Sequence, residues 1–220
     1  MTQLMKAILY TQYGEPEVLH VGEYEKPSPQ DNELLIRVMA AEATKSDCEL
    51  RSFQFAVSWF WLPLRVILGF NKPKNPILGG YFAGEVVAIG KDVETLEIGD
   101  KIYGSAGFTM GAYGEFLALS EDSTIGLMPD NLSFEEAAIV PLGGLNALHY
   151  MRRANIQPGE RVLINGAGAS IGTNAVQIAK AMGAEVTAVD SGIKEAKLRD
   201  IGADHFIDYT QENFNQLDGR

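Results

Sequence analysis

Apolar positions follow two different rhythms along this chain. Up to about residue 125 they come in short runs, Ala7–Tyr10, Leu34–Ala41, Glu85–Ile89 and Phe116–Leu119, cut by Gly-, Pro- and Asp-rich punctuation. The strongest breaks are Lys26-Pro27-Ser28-Pro29, Lys72-Pro73-Lys74-Asn75-Pro76 and Gly99-Asp100. Closely spaced strands with few helical stretches predict a small, barrel-like β domain.

After Pro129-Asp130-Asn131 the period lengthens. Ser133 with Glu136 three residues later forms a capping box, which predicts a helix from Ser133 toward Pro141. A second helix is expected from about Leu145 to near Pro158-Gly159. There follow a strand at Arg161–Asn165, a glycine-rich turn, and a helix with Ile171, Ala175, Ile178, Ala179 and Met182 on one face, stopped by Gly183. A strand at Glu185–Val189, a helix around Lys194–Ile201 and a strand at His205–Asp208 complete the pattern. Strand and helix in alternation read as the opening half of a doubly wound parallel sheet. The expected architecture is α/β, with a β domain over 1–128 and a partial dinucleotide domain over 129–220. Three strands stand where such a sheet has about six, so the chain reads as a truncated piece.

One segment interrupts the first rhythm. Phe53–Phe70 is apolar over about the length of a membrane span, but Pro63 and Arg65 break it and Gln54 and Ser58 dilute it. An amphipathic helix or a pair of short helices covering a pocket is expected. Contact with a membrane surface is the second reading.

Composition narrows the function. A net charge of -11 without Lys/Arg clusters argues against a nucleic-acid partner. The single cysteine, Cys48, forms no internal disulfide and suits a reducing cytoplasm. The start, MTQLMKAILY, lacks a basic-then-apolar signal arrangement. A cytoplasmic location is expected.

The turn Asn165-Gly166-Ala167-Gly168-Ala169-Ser170-Ile171-Gly172 lies between a strand and a helix, the context a phosphate-binding turn needs. Its spacing departs from GxGxxG: Ile171 takes the third glycine position counted from Gly166 and Gly168. A tight strand-to-helix connection without a ligand is the alternative. Asp190, about 20 residues on, stands where an acid takes the ribose hydroxyls of NAD(H) and repels a 2'-phosphate. Ser191, Lys194 and Tyr209 offer a hydroxyl, an ammonium and a ring that together suit the 2'-phosphate of NADP(H). Both coenzymes stay open, with a slight lean to NAD(H).

Several segments, in order and spacing, resemble the medium-chain dehydrogenase/reductases. They are Met5-Lys6-Ala7 with Tyr13-Gly14, Phe82-Ala83-Gly84-Glu85-Val86-Val87, Gly99-Asp100-Lys101-Ile102-Tyr103-Gly104, Gly111-Ala112-Tyr113-Gly114-Glu115-Phe116, Leu132-Ser133-Phe134-Glu135-Glu136-Ala137-Ala138 and Gly202-Ala203-Asp204. The likeness is greatest to the zinc-independent, quinone-oxidoreductase-like branch related to zeta-crystallin. It implies a GroES-like catalytic domain followed by a Rossmann domain. Zinc-dependent relatives place a Cys ligand where this chain has Thr44 and a His ligand where it has Gly80. With Cys48 alone and His20, His149 and His205 scattered, no ligand cluster is expected.

The implied chemistry is hydride transfer from NAD(H) or NADP(H) to an electrophilic carbon of a quinone or enone, without zinc. By family position Thr44, Ser46, Asp47 and Tyr81 stand on the substrate side. Thr44 replaces an Asn frequent in quinone-reducing relatives, and Tyr81 replaces an acid; its phenol is a candidate hydrogen-bond donor or proton source. Asn146 lies where relatives have a Thr near the nicotinamide. The cofactor-side set is Asn146, Gly166, Ala167, Gly168, Ala169, Ser170, Ile171, Gly172, Asp190, Ser191, Lys194 and Tyr209. The expected partner is a small apolar carbonyl or quinone. Trp59-Phe60-Trp61 suggests either a bulky substrate or a homodimer contact. The competing class is a non-catalytic dinucleotide-binding protein with a structural role.

Overall fold

The computed structural model describes residues 3–55 and 61–212. The chain divides into two compact units, residues 1–139 and 140–220.

In the first unit β1 (Leu4–Leu9) and β2 (His20–Glu25) form an antiparallel pair. After β3 (Glu33–Ala41) come α1 (Lys45–Ser52) and α2 (Trp61–Leu68), then β4 (Tyr81–Ile89), β5 (Lys101–Ser105), β6 (Phe116–Ser120), β7 (Ile125–Leu127) and α3 (Phe134–Ala138). The five later strands make one antiparallel sheet, ordered β6-β3-β4-β5-β7. Isolated bridges Ala7–Gly114 and Leu9–Ile77 tie β1 to the rest of the β unit. The sheet holds because apolar side chains of different strands meet on one face: Leu34, Ile36, Phe82, Val86 and Ile102 have no exposed surface. Full burial of each such side chain contributes about 1.5–3 kcal/mol. The β3–β4 register slips at Leu35/Ile36 and again at Val38/Ala40, and it ends with Ala41 opposite Phe82. Bulges of this kind re-aim the side chains that follow.

In the second unit α4 (Val140–Ala154) leads into β8 (Arg161–Asn165), α5 (Ser170–Ala181), β9 (Glu185–Asp190), α6 (Glu195–Asp200) and β10 (His205–Asp208). The strands are parallel and ordered β10-β9-β8. Small side chains, among them Ala147, Ala167, Ala175, Ala179 and Ala188, fill the core together with Val176, Val186 and Leu198, so the helices sit close to the sheet. Asp204 fastens one end by accepting from Lys180 Nζ (2.7 Å) and from the Val186 amide (2.7 Å).

Two local expectations change. The break near Pro141 is shorter than the spacing suggests: α3 ends at Ala138 and α4 begins at Val140, with Pro141 in its first turn. A proline there loses no helical hydrogen bond. In α5 Ile171 is exposed, while Gly172, Ala175, Val176 and Ala179 form the buried stripe. Among its described residues the apolar insert carries the eight-residue helix α2, with Pro63 in its first turn. No helix among the described residues is long and apolar enough to cross a membrane. Trp59 and Phe60 lie outside the described residues.

Candidate functional site

The residues expected on the substrate side gather around the start of α1. Thr44 is its N-cap, with extended backbone, and shares a capping box with Asp47. The Thr44 hydroxyl donates to Asp47 Oδ2 (2.6 Å) and accepts from the Asp47 amide (3.2 Å), while the Thr44 amide donates to the same Oδ2 (2.9 Å). Asp47 Oδ1 accepts from the Gly79 amide (3.2 Å). The carboxylate, only 5% exposed, therefore braces the helix cap against the turn Gly79-Gly80-Tyr81. Gly79 has φ +98°, and a Cβ there would stand 2.7 Å from the Tyr113 ring, so the turn requires glycine.

Phenols and carboxyls crowd this corner. Burial pushes the Tyr113 phenol up, and the charge of Asp47 and a hydrogen bond to it add to the rise. Burial, then Tyr13 and Asp47, push Tyr10 up in the same way. Tyr81 is raised by burial and by the charges of Glu42 and Asp47. Glu42 is itself raised, by burial first and then by Asp47, and its Oε2 is buried with no hydrogen-bond partner.

A cleft of about 350 Å³ opens over this corner, within the size range of small-molecule sites. Thr44, Ser46, Asp47 and Tyr81, the four substrate-side residues picked out from the sequence, all line it. Ser105, Phe108 and Met110 also line it and were not singled out. Ser105 stands opposite Tyr81 in the β4–β5 register, which only strand pairing reveals. Phe108 is 92% exposed. From the apolar insert, Phe55 and Leu64 reach the cleft wall, while Trp61, Leu62, Val66 and Ile67 remain exposed. Arg65 holds the insert down: its guanidinium lies 3.7 Å from the Phe53 ring centre and 4.5 Å from that of Tyr13, and its Nη1 donates to the Phe70 carbonyl (2.7 Å).

The residues expected to hold a dinucleotide lie in the second unit. Gly166, with φ +75°, starts the turn after β8, and the Gly166 and Ala167 amides both donate to the Val189 carbonyl (3.0 and 3.1 Å). Gly172 packs so close that a Cβ would stand 2.3 Å from the Gly166 carbonyl oxygen. This is the close-packing task of a third glycine, performed one residue later than in GxGxxG. Ala169, the N-cap of α5, makes no side-chain cap hydrogen bond. The first-turn amides of Ser170, Ile171 and Gly172 thus form an uncapped helix N-terminus, suited to a pyrophosphate.

Asp190 ends β9 nearly buried. Its Oδ2 accepts from the Gly168 amide (2.8 Å), its Oδ1 from the Ser191 amide (2.8 Å), and Lys194 Nζ pairs with Oδ1 at 3.0 Å. Burial alone would raise this carboxyl; Lys194 and the two amides outweigh it and hold it below the usual range. Tyr209 is attached to the same strand end through its amide, which donates to the Asp190 carbonyl (3.3 Å). Asn146 lies on α4 and turns its amide nitrogen back onto the Leu142 carbonyl (2.8 Å).

Residues 30–141 match the alcohol dehydrogenase GroES-like domain, and residues 170–218 match the family described as zinc-binding dehydrogenase. A 2-methylene-furan-3-one reductase of Solanum lycopersicum is 31% identical over 97% of this chain and 54% of its own length. The structure of the quinone oxidoreductase from Coxiella burnetii is 35% identical with a TM-score of 0.84, over 97% of this chain and 65% of that one. The quinone oxidoreductase of Escherichia coli complexed with NADPH is 28% identical with a TM-score of 0.78, over 94% and 60%. The chain spans little more than half the length of the tomato reductase. With a GroES-like β unit, the opening strands of a Rossmann-like parallel sheet and these relatives, the chain belongs to the medium-chain dehydrogenase/reductase superfamily, among its quinone-oxidoreductase-like members.

Proposed function

We propose that this protein is an NAD(P)H-dependent oxidoreductase that reduces a quinone or enone without zinc. The observation that carries the reading is the cleft that gathers Thr44, Asp47 and Tyr81 in a chain that also holds an uncapped glycine-turn helix. When bound, the reduced nicotinamide supplies a hydride. The first-turn amides of α5 hold the pyrophosphate through hydrogen bonds and the positive end of the helix. The Tyr81 phenol donates to the acceptor oxygen and, once hydride has added, gives up its proton. Phe108, Met110 and Leu64 supply apolar walls for a neutral ring or alkene.

The residues present do not fit zinc. The Thr44 hydroxyl is engaged in the capping box, Gly80 has no side chain, and Cys48 is exposed on α1. Among the described residues no three His, Cys, Asp or Glu side chains converge. Zinc needs several such ligands around one point, and no step of the proposal passes through it.

Asp190 supports NAD(H) by its position. Its committed hydrogen bonds, together with the ammonium of Lys194, support acceptance of NADP(H) instead, since the acid is neutralised and a cation stands beside it. We therefore propose NADPH as the preferred coenzyme. The test is titration with NADPH and NADH by quenching of tryptophan emission, followed by coenzyme oxidation at 340 nm with a naphthoquinone and a simple enone. Binding with turnover on either acceptor is expected. Binding without turnover on any acceptor would favour the non-catalytic reading, and no binding would refute both.

A further inference from the structure

Glu42 is the residue next to the site that the reading above leaves without a task. It follows β3 directly, and its amide donates to the Tyr81 carbonyl (3.1 Å), extending the β3–β4 ladder by one pair beyond Ala41–Phe82. Directly opposed residues of an antiparallel pair point to the same face, with Cβ atoms about 4.5–5.5 Å apart. Tyr81 in turn stands opposite Ser105. Glu42, Tyr81 and Ser105 therefore form one row across three strands, and its last two members line the cleft.

A surface glutamate would turn to water. This one has Oε2 out of solvent and without a hydrogen-bond partner, although Tyr113 comes close enough to donate to its backbone carbonyl (3.4 Å). An orphaned buried oxygen is costly when ionised and is tolerated far better as a neutral carboxyl. The groups that face it are Asp47 from α1, Tyr81 from β4 and Tyr113 from the loop before β6; Cys48 faces Tyr113, and Asp47 also faces Tyr10. Burial and the charge of Asp47 both favour the protonated form of Glu42.

We propose that Glu42 is the proton reservoir behind Tyr81, a carboxyl that reprotonates the phenol after it has delivered its proton to the reduced acceptor. The proposal rests on the reductase reading. Written for an enone, hydride from the reduced nicotinamide adds to the β-carbon, and the alkene π pair moves to leave an enolate. The Tyr81 O–H bond breaks as its proton passes to the enolate oxygen, forming the enol O–H, and the enol tautomerises to the ketone in solvent. The Glu42 carboxyl then gives its proton to the phenolate, and solvent reprotonates the carboxylate. The acceptor gains one hydride and one proton; the coenzyme loses two electrons. Glu42 touches no reacting atom and acts through Tyr81, as a positioning residue.

The test joins kinetics to a readout that does not need turnover. Enone reduction is followed against pH for the wild type, Glu42→Gln, Glu42→Asp, Tyr81→Phe and the double variant. Expected are a fall in kcat of about tenfold or more for Glu42→Gln, within the range of a proton-transfer contribution, with loss of the limb set by the carboxyl. Partial rescue by Glu42→Asp and no further loss when Glu42→Gln is added to Tyr81→Phe are also expected. In parallel, the glutamate side-chain carboxyls are labelled with 13C and titrated by NMR. One resonance, absent in Glu42→Gln, titrates above the other glutamates and moves in Tyr81→Phe. An unchanged pH profile in Glu42→Gln, independent losses in the double variant, or a Glu42 resonance indifferent to Tyr81→Phe each overturns the relay. A wild type that binds coenzyme and turns over no acceptor refutes the reductase reading and the relay with it; the resonance then shows whether the pair exists.

Discussion

Replacing Gly172 by alanine separates the two jobs of the glycine turn. A Cβ at this position would lie 2.3 Å from the Gly166 carbonyl oxygen, 2.6 Å from the Ala167 Cα and 2.7 Å from the Ala167 carbonyl oxygen. All three are backbone atoms, so no side chain can swing away, and α5 must retreat from the turn by about 1 Å to restore ordinary contact. Overpacking of this kind costs about 1–3 kcal/mol, and the better helix propensity of alanine returns up to about 1 kcal/mol. A net loss of about 1–2 kcal/mol lowers Tm by about 2–8 °C in a chain of this size. The retreat also moves the α5 amides off the pyrophosphate, and coenzyme affinity falls about tenfold for each 1.4 kcal/mol lost. Gly166→Ala is the control. It has φ +75° with nothing within 4 Å of the added carbon, so it carries about 1–2 kcal/mol of backbone strain without displacing the helix. Thermal melts with and without NADPH, together with fluorescence titration, distinguish the two. If Gly172→Ala melts and binds as the wild type does, close packing of α5 on the turn is not what shapes the cradle.

Lys194→Ala should weaken NADPH by about tenfold or more, as loss of one charge-assisted hydrogen bond implies, and leave NADH within about threefold. Equal losses for both coenzymes, by titration, would remove Lys194 from the 2'-phosphate site. Arg65→Ala removes the cation stacked on Phe53 and Tyr13 and the bond to the Phe70 carbonyl, and should cost about 1–2 kcal/mol in urea unfolding. Arg65→Lys should recover little of it, because an ammonium lacks the planar stacking face; an unchanged midpoint in Arg65→Ala counts against the staple. The carboxyl of Asp190 is held below the usual range when folded, so its stabilisation is complete above the unfolded value of about 4 and is lost as pH falls through the depressed one. The stability gap between wild type and Asp190→Asn should therefore stay constant from about pH 5 to pH 8 and shrink only below about pH 4. A gap that opens or closes near neutrality would contradict that sign.

Much of the second unit was legible because its signals are local. Arg161–Asn165 and His205–Asp208 are strands with the bounds their apolar runs suggest, and at the end of the first unit the Ser133–Glu136 capping box forms as read. These depend on backbone preference and on side chains a few residues apart. The helix around Pro141 was harder to bound, since proline ends some helices and opens others, and only packing decides. Thr44, Asp47 and Tyr81, which line one cleft, could be picked out by motif position. Their hydrogen bonds could not, because the Asp47–Gly79 contact joins residues far apart in the chain. Glu42 and Ser105 were illegible for the same reason. Their place beside Tyr81 follows from strand register, and two slips in the β3–β4 ladder decide which residue faces which.

The charges around the cleft give proton supply its weight in the proposed reaction. Asp47 and Glu49 line it, Glu42 stands behind it, and none of the described lining residues is cationic. Reduction of an enone or quinone builds negative charge on oxygen, and a bound metal or ammonium is the usual way to stabilise it. This cleft offers acids and protonated phenols instead. Burial first, and then the same acids that would repel an enolate, raise the Tyr81 phenol and the Glu42 carboxyl above their ordinary values, so both hold their protons more firmly. Such a site favours neutral acceptors over anionic ones. On the proposed reading it also discharges the reduced product by handing it a proton rather than by holding its charge, and a donor row reaching inward from the cleft is the arrangement that such chemistry requires.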